Sequence, residues 1–555
     1  GTQFFFFFEV SFQHSSFAKN CNTCHANAHN RPLSWLVLAG AGNQDAKNCL
    51  ECHKMGSHPY KAHSLDPAQT AAISKVLWKK SGEPPAPKEL QCMNCHQEHR
   101  GATFDLTAVT NQQCQTCHLT QISGFKKSHP EFTNFPFSKR VNILFDHTEH
   151  FNKHFPDKDT EGKISCNTCH APSSIGGKMV LNGFESSCAT CHEGQVHGDN
   201  SMSKGVVFFR VPNLDLDSLS KNGRRIGAWP QNADGPISPI TKLLLSGDEA
   251  AVKALAYIEE NEIELDNLSG QKREAYAHVE KLAWAIKSLL QELKTEAPEA
   301  FKKRLESAFG KPIDRDQITA ISGSFPIEIA RIASNSWFRS LDSEVANMKK
   351  GYLAGTSKVS LNGNSTEDED QMSAGGWYRD DGTLTIKYRP TGHQDRFISS
   401  WLNLSALTVE SLPAAKAVFQ DLSHRKNSPG ACTKCHGVEK NTTELKVHWK
   451  GPVDEKGSQG FVRFSHAAHL NLLKEEGCYT CHEISKEADF SKNYDGFDTT
   501  VYESNFLSLK KSTCVRCHQP GQVKDTCTTC HNYHIGNFFT SEEQMKQIHT
   551  KLNEE

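Results

Sequence analysis

The chain has 555 residues, 37% of them apolar, and 62 Lys and Arg stand against 64 Asp and Glu for a formal charge of -2. That length suits roughly three or four ordinary domains, and the near-neutral balance gives no electrostatic drive toward nucleic acid or an anionic membrane. No apolar run reaches the roughly 20 residues that a membrane-spanning helix needs, and Phe4 to Phe8 is far too short.

In chain order, the Phe run admits three readings: the tail of a processed signal peptide, a packed terminal strand, or an uncertainly assigned stretch of sequence. The cysteines follow. All twenty fall in Cys-x-x-Cys-His motifs, which begin at Cys21, Cys49, Cys92, Cys114, Cys166, Cys188, Cys432, Cys478, Cys514 and Cys527. Their second cysteines are Cys24, Cys52, Cys95, Cys117, Cys169, Cys191, Cys435, Cys481, Cys517 and Cys530. The closing histidines are His25, His53, His96, His118, His170, His192, His436, His482, His518 and His531. Two thiols at this spacing add to the two vinyl groups of one porphyrin while the next imidazole reaches its iron, so the expectation is ten covalently bound haem c groups. Zinc ribbons, disulfide frameworks and thioredoxin-like pairs place no demand on the residue after the second cysteine. Here that residue is His in all ten motifs.

Six motifs lie within residues 21–192 and four within 432–531. Porphyrin is therefore expected to be the core of those regions. Ionised propionates would make the loaded chain distinctly acidic, so a cation or a basic partner would be favoured. Repetition is visible as well: Phe145-Asp-His-Thr-Glu-His150 before Cys166 echoes Phe464-Ser-His-Ala-Ala-His469 before Cys478. The second His of Cys-His-Gln-Glu-His99 is matched in Cys-His-Asn-Tyr-His534.

The cysteine-free stretch 203–423 reads as ordinary protein. Ser246-Gly-Asp-Glu249 is a capping box opening a helix through Val252, Leu255 and Ile258. A longer helix is predicted from about Gln271 to Lys294, and another through Phe301, Leu305 and Phe309 that stops at Gly310. The acids of Ser365 to Asp370 form a solvated loop, and Asp381-Gly382 is the turn of a hairpin whose Leu384, Ile386 and Tyr388 alternate with polar residues. The predicted architecture is a hexahaem lobe (1–202), a mainly α-helical haem-free insert with a small β-hairpin (203–423) and a tetrahaem lobe (424–555). The lobes are expected to be loop-rich, haem-packed and built from short helices.

Of 28 histidines, 18 lie outside the closing positions, and of these only His278 and His393 fall inside the insert. Both are assigned structural or solvent roles. Bis-His ligation of ten irons needs ten distal residues. Phe-x-His-x-x-His ahead of Cys-x-x-Cys-His resembles the class III multihaem cytochromes, in which the first His caps the haem of the following motif and the second caps a neighbour. The resemblance covers only the lobes. It implies that His147 serves the Cys166 site and His466 the Cys478 site, with His150 and His469 reaching other haems, and it implies export. Phe12-Gln-His14 fits in part, with Phe17 where the second His would stand, and His14 is expected to cap its own haem. Shared spacing adds His99 and His534; His63, His129 and His448 complete the distal candidates. His29, His58, His154, His197 and His424 are substitutes, and His549 is placed on a solvated tail.

The expected function is electron transfer, with redox proteins or an extracellular acceptor as partners and a periplasmic or cell-surface location. The alternatives are a nitrite- or hydroxylamine-type multihaem oxidoreductase, an electron-transfer subunit of a membrane-associated complex, and the protomer of a homopolymeric filament whose Cys21 and Cys527 haems meet at the junction. No catalytic residues are assigned.

Overall fold

The computed structural model describes residues 9–26, 43–69, 91–115, 117–118, 122–132, 140–158, 164–173, 177–198, 205–361, 375–425, 428, 430–451, 458–470, 472 and 477–539. The Phe4 to Phe8 run, His29, the Ser365 to Asp370 acids and His549 lie outside these residues. The architecture mixes helix with several small sheets.

Between residues 206 and 447 the chain forms a conventional apolar core, with Phe208, Trp229, Phe301 and Trp401 fully buried. Strand β1 (Val206–Arg210) pairs antiparallel with β3 (Thr385–Arg389), which also pairs with β2 (Gly376–Asp380). The expected hairpin is thus the β2–β3 part of a three-stranded sheet. With a neighbour on each edge and helices across it, β3 is buried over its first four residues rather than alternating. A second, parallel pair joins Ala228–Pro230 to Ser357–Val359.

Helix α1 (Pro239–Leu245) is capped by Ser238, whose hydroxyl accepts from the Thr241 N–H. Helix α2 (Glu249–Glu260) takes its cap from Asp248, not from the expected Ser246, which closes α1 instead. An ionised carboxylate two residues closer satisfies the free N–H of Ala251 and suits the positive helix end. Helix α3 (Arg273–Phe309) merges the two predicted helices, broken at Glu296 ahead of Pro298, which can donate no backbone hydrogen bond. It ends at left-handed Gly310. Helices α4 (Arg396–Ala406) and α5 (Pro413–Ser423) close the core. The core continues past residue 423 into the hairpin Val438–Asn441 with Glu444–Val447.

Elsewhere the buried apolar side chains among the described residues are only Ala46, Leu106, Leu144 and Phe490. Four such residues are far too few to stabilise a compact body, so the described motif-bearing segments have almost no apolar interior of their own.

Those regions are also not two lobes held apart. Arg140, almost fully buried, donates to the carbonyls of Asn493 and Val438 at 2.6 and 2.8 Å. The Cys527 N–H donates to Asn111 Oδ1 at 3.0 Å, and the His147 N–H to Asn505 Oδ1 at 2.9 Å. Lys54–Met55 pairs with Gly536–Phe539, which pairs in turn with Ser458–Gln459. Segments before and after the insert interleave into one body.

Candidate functional site: ten facing histidine pairs

All ten motif histidines lie opposite a second imidazole. His25 faces His99 (6.1 Å between ring centres), His53 faces His14 (5.9 Å), His96 faces His534 (6.1 Å), and His118 faces His63 (6.0 Å). His170 faces His147 (6.3 Å), His192 faces His150 (6.1 Å), and His436 faces His393 (6.2 Å). His482 faces His466 (6.3 Å), His518 faces His469 (6.2 Å), and His531 faces His129 (6.1 Å). Each ring belongs to one such pair. Two imidazoles holding one metal ion between them, with bonds of roughly 2.0 Å, put their ring centres roughly 6 Å apart. Hydrogen-bonded or packed rings would have no reason to repeat one gap ten times.

Local chemistry aims the rings. The Nδ1 atoms of His96, His129, His150, His436, His466, His469 and His518 lie within 2.6 to 3.1 Å of the backbone carbonyls of Leu106, Pro130, Asp146, His448, Gly177, Ser465 and Lys524. His25 Nδ1 lies 3.1 Å from Asp45 Oδ2, and His14 Nδ1 meets Glu98 Oε1. A ring that donates from Nδ1 turns Nε2 and its lone pair toward the gap, which is how metal-ligating histidines are oriented. Burial pushes His147 and His534 down to about 4, and it lowers His53, His63, His150, His170, His436, His482 and His531 as well. These rings are neutral at pH 7, the form that binds metal.

The two Phe-x-His-x-x-His segments fold alike. Phe145 packs on both His147 and His150, at 4.7 and 4.1 Å, as Phe464 packs on His466 and His469, at 4.9 and 4.7 Å. Just upstream, Ile143 forms an antiparallel bridge to His436, and Val462 forms its counterpart to His531. His63 and His99 sit at φ of 53° and 62°, a strained backbone for a non-glycine residue that needs a tightly determined setting.

Three expectations require correction. His448 is not opposite a motif histidine; its Nε2 lies 2.9 Å from Glu439 Oε2, and it serves His436 only through its backbone carbonyl. The ring facing His436 belongs to His393, on the turn between β3 and α4, where Asp395 caps α4 and accepts from the Thr391 N–H. Phe184 stacks on the same ring at 4.2 Å. The insert is therefore not detached from the motifs. Finally, His14 faces His53 of the next motif rather than His25 of its own.

The ten pairs use none of the substitutes. His154 and His197 are held by Glu149 and Glu193, and His278 stacks on Tyr257 at 4.2 Å. Among the described residues no three His, Cys, Asp or Glu form a group that could hold a metal ion by themselves, and each facing pair offers two imidazoles. Such a pair could hold the iron of a macrocycle, and the two cysteines of the same motif could anchor that group covalently. No helix among the described residues is long and apolar enough to cross a membrane. Comparison with models of known protein families, with curated proteins and with solved structures found no match.

Proposed function

We propose that this chain is a ten-haem c-type cytochrome whose work is electron transfer. The observation that carries the reading is the set of ten facing pairs, one for each Cys-x-x-Cys-His motif. Each bound haem would supply an iron that cycles between ferric and ferrous states. The chain's own residues do the rest. Paired cysteines would anchor the macrocycle, two imidazoles would hold its iron, and the Nδ1 contacts of the rings that have them orient those rings. The poverty of buried apolar side chains among the described residues outside 206–447 supports the same reading, since ten large apolar groups would supply an interior there.

Closed axial positions favour carriage over substrate turnover, because nitrite or hydroxylamine chemistry needs an iron with a free position. Haem attachment of this kind is made outside the cytoplasmic membrane, so an exported protein, periplasmic or at the cell surface, is part of the proposal. Redox proteins or an extracellular acceptor would be its partners. The test is a haem count by pyridine haemochromogen and intact mass, with low-temperature EPR of the oxidised protein. Ten haems, all low-spin, are expected. A high-spin ferric component that binds cyanide or nitrite in the native protein would favour the oxidoreductase reading, and a count well below ten would defeat the cytochrome reading itself.

A further inference from the structure

The contacts between motifs define an order that the sequence order hides. Motif Cys21 adjoins motif Cys49, because the helix Asn43–Cys52 carries both Asp45, which meets His25, and Asn48, which donates to the Cys24 carbonyl at 3.3 Å. The same helix packs against the turn Cys92–Asn94, which sets motif Cys92 beside motif Cys49. Motif Cys92 adjoins Cys114 through Gln113 Nε2, 3.2 Å from the Cys95 carbonyl. The Cys114 thiol then meets that of Cys527, whose N–H reaches Asn111. Motif Cys514 follows, since Lys511 Nζ donates to the carbonyl of His129, the ring facing His531, at 2.6 Å. Phe464 ties the Cys514 pair to the Cys478 pair. Phe506 packs on both His147 and His482, and the Cys166 and Cys478 thiols meet, so motif Cys166 is next. Phe145 joins it to Cys188. Gln195 Oε1, 3.3 Å from His192 Nδ1, accepts from Lys434 Nζ at 3.0 Å and joins Cys188 to Cys432.

Ring orientation supports the same order. The three pairs on one side of the Cys166–Cys478 contact cross at 13°, 53° and 15°, and the three on the other side cross at 14°, 42° and 17°. Together with the matched bridges Ile143 to His436 and Val462 to His531, this makes two copies of one three-site unit facing each other. The copies differ at their far ends. Beyond Cys527 the four N-terminal motifs continue. At the equivalent Cys432, the side chain packs against the apolar core of residues 206–447, with Pro390 and Ile398 close by around Gly430.

From these contacts we infer that the ten attachment sites form one unbranched file in the order Cys21, Cys49, Cys92, Cys114, Cys527, Cys514, Cys478, Cys166, Cys188, Cys432, and that the insert is the cap that closes the file at Cys432. This rests on the haem reading above. It makes the Cys21 and Cys432 sites the two ends of the file, the second covered by the insert, and it places Cys527 in the interior, so a polymer junction between Cys21 and Cys527 is not available. The insert stands where a further motif stands at the equivalent end, and it adds His393 to the last site.

Electron cryomicroscopy of the purified haem-loaded chain, with a parallel haem count, tests the order. Expected are ten porphyrins, that of Cys527 flanked by those of Cys114 and Cys514, and that of Cys432 with one porphyrin neighbour and the insert on its other side. A terminal Cys527 porphyrin, a branch, or a porphyrin of a second copy against the insert face of the Cys432 site would overturn the inference while leaving the cytochrome reading intact. A count well below ten would instead overturn the reading on which it rests.

Discussion

Replacing His393 by Ala separates the tertiary assignment from the one that spacing suggested. His393 faces His436 at 6.2 Å and 15°, whereas His448 turns its ring to Glu439. If ten irons are bound as proposed, removing one ligand would leave one iron in ten short of a nitrogen, so a high-spin ferric signal integrating to about a tenth of the iron is expected. His393→Met should keep that iron low-spin and raise its potential, since a Met/His pair sits above a bis-His pair within the ~0.8 V that axial ligands command. His448→Ala keeps the carbonyl that His436 Nδ1 uses and loses one partly exposed pairing, at a cost below about 1 kcal/mol and with no change of spin state. EPR with spectroelectrochemical titration of the three variants decides the matter. A wholly low-spin spectrum from His393→Ala, or a high-spin iron in His448→Ala, refutes the assignment.

Other consequences are as accessible. Six pairs cross at 13° to 18° and four at 42° to 68°; because aligned imidazoles split the iron d orbitals more than crossed ones, EPR should resolve two low-spin populations near six to four, and one uniform population would contradict the geometry. Lys287 is fully buried with Nζ 2.5 Å from Glu344 Oε2, so Glu344→Gln should lower insert stability by roughly 3–5 kcal/mol in denaturant unfolding, and Lys287→Met with Glu344→Leu should recover most of it. Gly227→Ala places a Cβ 2.8 Å from Lys287 Nζ at φ +72° and should destabilise by at least about 1–3 kcal/mol, which differential scanning calorimetry would detect as a lower melting temperature. Burial raises Asp380, but hydrogen bonds from Thr383 and the charge of Lys387 outweigh it and hold the carboxyl below 3.8. A depressed acid contributes stability above its unfolded pKa and loses it as pH falls through the folded value, so acid unfolding of the insert should be blunted in Asp380→Asn.

What was legible in the sequence was local chemistry. The attachment motifs need only a spacing of three residues and an adjacent imidazole, and the Phe-x-His-x-x-His repeat places two imidazoles on one helical turn. Leu282, Ile286 and Leu290 mark the apolar stripe of α3, and Gly310 marks its end. The misplaced cap had a local cause too, since Ser246 and Asp248 both satisfy a capping pattern and only the end of α1 decides between them. The alternation of Leu384, Ile386 and Tyr388 located the hairpin, but the pairing of β1 with the other edge of β3 depends on a segment far upstream.

By itself, then, the sequence showed ten Cys-x-x-Cys-His motifs, the thiols and imidazole in each, and which segment carries a conventional core. Only the tertiary structure decided which imidazole stands opposite, because that pairing brings together residues as distant as His96 and His534 or His129 and His531. It also decided the order of the sites. A file that runs from Cys114 to Cys527 and back through Cys478 to Cys166 is set by contacts between chain segments hundreds of residues apart, and no spacing within the chain encodes them.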